Sequence, residues 1–233
     1  ILDEEINETR TEKYVPNDPV FNHPIFTTFD YNWYFDKIQA HEAWSITMGS
    51  PKVTVAIVDD FFDLDHIELN SDRIVEPYSV ITGTRDVYPP TEDYTHGTMV
   101  ASLAIANADN YAGACGIAPN CSFMPISIGG KNVVTSTLIV GLIGAIHSGA
   151  DVVNISWGWG VNMTKKAYSI KEQTEWSRKK MKDSEKLWNY IYDIAEARNV
   201  TIVYAAGNER DYIAVDPKKR SNNIICVSSV DME

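Results

Sequence analysis

The segment KVTVAIVDD, residues 52–60, constrains the fold more than any other stretch. Val and Ile occupy both of its alternating faces, so both faces must be covered, whereas a strand open to water on one side alternates apolar with polar. Such a strand belongs inside a parallel sheet with helices above and below. Gly49-Ser50-Pro51 breaks the chain just before it. Further apolar runs follow at SFMPISI, DVVNISW, VTIVYAA and NIICVSS, and helical patterns separate several of them. That alternation predicts an α/β fold with a parallel sheet sandwiched by helices. No internal repeat interrupts it.

Two helices are legible in detail. Leu187, Ile191, Ile194 and Ala195 recur at helical spacing, which predicts a helix over 184–198 with Ser184 as N-cap and Asn199 as the left-handed stop. The run TLIVGLIGAIHS is apolar on nearly every side, which predicts a helix buried all round and ended by Gly149. Residues 1–25 are polar, carry the turn former NDP at 17–19, and read as an extended arm on the surface. Residues 161–182 hold seven Lys or Arg against two Glu without a sustained apolar stripe, and read as a basic surface insertion.

At 233 residues and 44% apolar composition, the chain has material for one folded domain. A formal charge of −12 disfavours a nucleic-acid partner, whose phosphates require clustered cations. No apolar run reaches the roughly 20 residues that span a bilayer. The acidic start ILDEEINETR is no basic signal-peptide head, so an exported form would have lost its targeting segment during precursor processing. Three cysteines make neither a disulfide scaffold nor a CxxC metal site. A Cys115–Cys121 pair is open to them, with Cys226 as the leftover thiol. GxGxxG and GxxxxGK[ST] are both missing, which removes the usual nucleotide-binding readings.

In open α/β sheets, sites gather where strands end at their carboxyl edge. Asp59 ends VAIVDD, His96 opens HGTMVASLAIA, and Asn208 closes VTIVYAAGN. A buried carboxylate can orient an imidazole, the imidazole can take and return the proton of a hydroxyl nucleophile, and a side-chain amide can donate to a developing oxyanion. His23, His41, His66 and His147 lack companion motifs and read as packing or surface residues.

With those residues in view, the chain resembles the subtilisin-like serine peptidases from about residue 17 to 231. The motifs come in order: VAIVDD with DHIEL, HGTMVAS, GIAPN, NISWG and AAGNE. The order Asp, His and then Ser is this family's. The resemblance makes 26–233 the N-terminal and middle portion of a subtilisin-like domain, with a sheet incomplete at the C-terminus. It implies Asp59 as orienting acid, His96 as general base and Asn208 as oxyanion donor. It places Ser156, Trp157 and Gly158 along an extended peptide substrate, and Ala205, Ala206 and Gly207 around the primary specificity pocket. Glu209 would stand at that pocket's mouth, where a carboxylate favours a basic or polar side chain.

The chemistry requires no cofactor. The loop NADNYAGACG resembles the family's calcium-binding loop, with Glu68 and Asn110 at positions that supply side-chain oxygens there. Two departures stand out. Phe61 occupies the position where the family usually has Gly, so the turn after the strand must be built differently; the neighbouring Asp60 resembles the proprotein-processing branch. No GTSMAxP-like nucleophile motif occurs, and Ser228 and Ser229 belong to an apolar strand, not a helix start. A second polypeptide or downstream segment is therefore expected to carry the serine, which leaves this chain alone inactive. The rival reading is a pseudoprotease or regulatory module that binds peptides without turnover. Sequons at Asn7, Asn120, Asn154, Asn162 and Asn199 do not discriminate between them.

Overall fold

A computed structural model describes residues 13–22, 32–130, 133–158, 168–208 and 211–231. Six strands form one sheet: β1 Thr54–Asp59, β2 Tyr78–Ser79, β3 Ser122–Ser127, β4 Val152–Ile155, β5 Thr201–Ala205 and β6 Ile224–Val227. Their order is β2-β3-β1-β4-β5-β6, and every pairing is parallel. The helices are α1 Pro19–Asn22, α2 Trp33–Lys37, α3 Ala40–Trp44, α4 His96–Ile105, α5 Thr135–His147, α6 Ile170–Lys180 and α7 Lys182–Ala197.

β1 lies next to the middle of the sheet, and its last four residues are fully buried or nearly so. Ala56 and Val58 join one core with Leu138, Leu142, Trp188, Ile191 and Tyr204, beneath α5 and α7. Ile57 points the other way, into a second core with Phe62, Leu69, Phe123, Ala101 and Ile105 under α4. Burying each large aliphatic side chain contributes about 1.5–3 kcal/mol, so the two-sided pattern of β1 carries a large share of the sandwich. The predicted parallel α/β architecture is what the chain adopts. No described helix is long and apolar enough to cross a membrane.

Several local expectations need correction. α7 starts at Lys182, two residues before the predicted Ser184 cap. Its inward face is Trp188, Ile191, Tyr192 and Ala195, while Leu187 stays 46% exposed. Trp188 and Tyr192 take the inward place of Leu187, with Tyr192 meeting Tyr204 of β5 edge-on at a centroid distance of 6.3 Å. Asn199 does supply the left-handed stop, at φ +56°. α5 is buried on its sheet side through Leu138, Leu142 and Ala145, but Val140 is half exposed, so it is not enclosed all round.

Within the predicted surface arm, Pro16 and Asp18 are buried, and Phe21 packs edge-on against His41 and Trp44. Aromatic packing, absent from a turn-former count, draws this part of the arm inward. His41 thus belongs to a packed cluster, as expected of it. Within the predicted basic insertion, whose residues 161–167 lie outside the described residues, α6 is a solvated helix begun by a Ser169–Glu172 capping box. It rests on the body through Ser177, whose hydroxyl donates to the Val215 carbonyl at 2.6 Å. All three cysteines are free thiols. Cys115 packs with Phe35, Ala40 and Trp44, whereas Cys121 sits beside Gly49 at the entry to β3. Ser228 and Ser229 follow β6 and are not part of it.

Candidate active site

Asp59 is the last residue of β1 and is 0% exposed. His96 is the first residue of α4, and its Nδ1 lies 2.7 Å from Asp59 Oδ1. A carboxylate can only accept, so the Nδ1–H donates to it and Nε2 is left for exchange with another group. The Asp60 backbone N–H also donates to Asp59 Oδ1, at 2.8 Å. Asp59 Oδ2 is buried without a hydrogen-bond partner among the described residues. A buried carboxylate with one unsatisfied oxygen makes its neighbouring imidazole the natural place for a positive charge. Accordingly, the hydrogen bond to Asp59 raises the His96 pKa above its ordinary value, helped by the charges of Asp59 and Asp60 and opposed by partial burial. The His96 side chain is 44% exposed.

The turn after β1 explains how Phe61 replaces the expected glycine. Asp60 is buried, and its Oδ1 accepts the Phe61 N–H at 2.6 Å and the Gly97 N–H at 2.7 Å. The Ser127 hydroxyl donates to the Asp60 carbonyl. One carboxylate therefore closes the turn without a left-handed residue. The same carboxylate satisfies a free N–H in the first turn of α4, where Thr95 at the N-cap makes no side-chain bond. Gly97 admits this approach: a Cβ there would come within 2.5 Å of the Phe61 carbonyl oxygen and 2.9 Å of Asp60 Oδ1. The sequence pointed to Asp60 only as a possible branch marker, and its bridging role was missed.

Because β1, β4 and β5 are adjacent and parallel, their carboxyl ends share one edge. Ser156, Trp157 and Gly158 leave β4 there, with Asn154 Nδ2 donating to Ser156 Oγ at 3.0 Å. The Trp157 indole meets the His96 ring edge-on, at a centroid distance of 5.8 Å and 77° between planes. Ala205 ends β5, and Ala206, Gly207 and Asn208 turn away from it, with Gly207 at φ +103°. Gly207 and Asn208 are exposed. Glu209 lies outside the described residues. Sequence reasoning also passed over Lys219, whose buried ammonium donates to the Ala206 carbonyl at 2.8 Å. It falls in a Pro-Lys-Lys turn of the kind that usually faces solvent.

The suspected calcium loop lies at another place in the fold. Glu68 is buried there; its Oε1 accepts the Ala114 N–H at 3.1 Å and its Oε2 accepts Asn110 Nδ2 at 3.2 Å. Asp18, fully buried, accepts the Asp109 N–H at 3.0 Å from the arm side. Burial raises the Glu68 pKa, with the Asp18 charge acting in the same direction. No group of three or more His, Cys, Asp or Glu among the described residues is arranged to hold a metal.

Residues 50–233 match the family model of the subtilases, the S8 peptidases. The chain belongs to the subtilase family. It is 27% identical over 191 residues to a thermophilic serine proteinase of Bacillus sp. strain AK1, a match that takes in 81% of this chain and 41% of that protein. To a calcium-dependent protease of Trichormus variabilis it is 30% identical over 200 residues, 80% of this chain and 28% of that protein. The chain thus spans less than half of either subtilase relative. The crystal structure of an Aeromonas sobria serine protease with its chaperone superposes with a TM-score of 0.61 at 22% identity, covering 89% of this chain and 35% of that one. At that identity the likeness is one of fold, and the fold is the subtilisin-like sandwich expected from the sequence.

Proposed function

We propose that this chain supplies the acid, the base and the oxyanion donor of a serine endopeptidase. The observation that carries the reading is the 2.7 Å hydrogen bond from the His96 imidazole to the fully buried Asp59. In the proposed cycle His96 Nε2 takes the proton from a serine hydroxyl as its oxygen attacks the peptide carbonyl. Asp59 stabilises the resulting imidazolium, and the Asn208 amide donates to the tetrahedral oxyanion. The imidazolium then protonates the leaving amine, and water resolves the acyl-enzyme by the same route in reverse. Ser156, Trp157 and Gly158 would pair with the extended substrate through main-chain hydrogen bonds. Ala205, Ala206 and Gly207 would line the primary pocket, with Glu209 at its mouth.

None of the serines in the sequence lies in a nucleophile motif of the family's kind, so the proposal assigns the serine to a second polypeptide or downstream segment. Export after precursor processing belongs to the same proposal. A fluorophosphonate probe applied to the intact protease tests it. Labelling should fall on a serine outside these residues and vanish in His96→Ala, whereas labelling that survives that substitution, or never occurs, refutes the reading. The second outcome favours a peptide-binding pseudoprotease.

The named calcium-dependent relative supports one addition. Two buried carboxylates, Asp18 and Glu68, both accept from the 109–114 loop, and a divalent cation held by Glu68, Asn110 and loop carbonyls would relieve their mutual repulsion. Calcium at about 100 times its Kd should stabilise the fold by about 2.7 kcal/mol. Calorimetry with and without chelator should show that difference in the parent protein and lose it in Glu68→Gln.

A further inference from the structure

The turn that presents Asn208 is held from behind by a buried cation. Ala206 sits between two anchors: its N–H donates to the Val227 carbonyl of β6 at 2.8 Å, and its carbonyl accepts the Lys219 ammonium at 2.8 Å. The Lys219 side chain is only 7% exposed, so its charge is not simply hydrated. Asp216 balances it, with Oδ2 at 3.8 Å from Lys219 Nζ and 3.1 Å from Lys218 Nζ. Asp216 also fixes the tight turn Pro217–Lys219, since its Oδ1 accepts the Lys218 N–H at 3.0 Å. That turn is tied to α7 by the Tyr192 hydroxyl, which donates to the Lys218 carbonyl. The backbone from which the ammonium projects is therefore anchored on two sides, with Asp216 beside the charge.

The Ala206 carbonyl and the Gly207 N–H share one planar unit, so orienting the first orients the second. Gly207, at φ +103°, has no side chain to resist a flip of that unit. We infer that Lys219, with Asp216 as its counterion, is a positioning residue for the oxyanion turn, holding the Ala206–Gly207 peptide so that Asn208 meets the developing negative charge. The inference rests on the peptidase reading proposed above.

The test compares Lys219→Met, Lys219→Arg and wild type in the intact protease. It measures kcat and KM on a peptide amide and the affinity of a peptidyl aldehyde, which mimics the tetrahedral state. Small misplacements at a site lower rate by up to about 100-fold, so Lys219→Met should lose about 10- to 100-fold in kcat with KM changed by less than about 3-fold. Aldehyde affinity should fall in parallel, and Lys219→Arg should recover most of both. A folded Lys219→Met with wild-type kcat and aldehyde affinity overturns the inference.

If Lys219→Met fails to fold, Asp216→Asn keeps the ammonium and removes its counterion. Hydrogen exchange at the Ala206 amide, which donates to the Val227 carbonyl, should then quicken by about 10-fold while the Val58 amide is unchanged, and unaltered Ala206 exchange is equally fatal. Wild-type protein that neither cleaves peptide nor binds the aldehyde would sink the peptidase reading instead. The exchange measurement would still decide whether Lys219 governs the turn.

Discussion

Asp59 ends a strand covered from both sides, whereas Gly207 and Asn208 leave a strand whose outer neighbour is the described edge of the sheet. On that edge strand, β6, the Ile225 and Val227 side chains are half exposed. The proposed acid–base half is fixed by hydrogen bonds among Asp59, Asp60, Ser127, His96 and Gly97, where the covered strand β1 meets the start of α4. The proposed oxyanion half is tied, at the Ala206 carbonyl, to a lysine reaching in from a separate turn. A site can thus combine a half that the sheet core fixes by itself with a half that depends on a buried charge.

Removing the base should have the largest effect. His96→Ala is expected to abolish turnover in the intact protease; the loss measured for the equivalent change in a subtilisin is about 10⁶-fold. Asn208→Ala should cost about 10²- to 10³-fold in kcat with KM little changed, a magnitude again known from a subtilisin. A loss as deep as that of His96→Ala would mean that Asn208 does more than donate one hydrogen bond.

Asp60→Ala sharpens the contrast from the stability side. It leaves the Phe61 and Gly97 amides without their shared acceptor, which should cost about 3 kcal/mol and lower Tm by roughly 6–12 °C in calorimetry. A fall of under a degree would show that the turn and helix start hold themselves. The smallest effect is on titration. Since the folded His96 pKa is raised, chiefly by Asp59, the stabilisation from their charged pair is complete below the ordinary histidine value of about 6.5. It is lost as pH climbs through the raised folded value, while turnover, which needs the neutral ring, rises over the same interval. In Asp59→Asn the NMR titration of the His96 ring should move down; an unmoved midpoint would assign the shift to some other cause.

The parts of the fold that were legible in the sequence are those whose physics is periodic. β1 announced itself because both faces are apolar, and Asp59 and His96 because they end a strand and start a helix. The residues that escaped act across the chain. Asp60 looks like an ordinary turn carboxylate until Gly97, 37 positions on, is seen donating to it. Lys219 reads as surface charge until the Ala206 carbonyl is found 13 residues away. The start of α7 and the exchange of Leu187 for Trp188 on its inner face depended on the room under β5, which no local pattern encodes. The Cys115–Cys121 pairing failed for the same reason: nearness in sequence does not bring two thiols into one cluster.

The double grip of Asp60 has a mechanical corollary. By clasping both the exit of β1 and the first turn of α4, this carboxylate joins strand and helix directly, so that the exposed loops of the long excursion between them carry less of the task of holding the two in alignment. Loops in that excursion are free to lengthen, shorten or acquire new contacts over evolutionary time without loosening that joint.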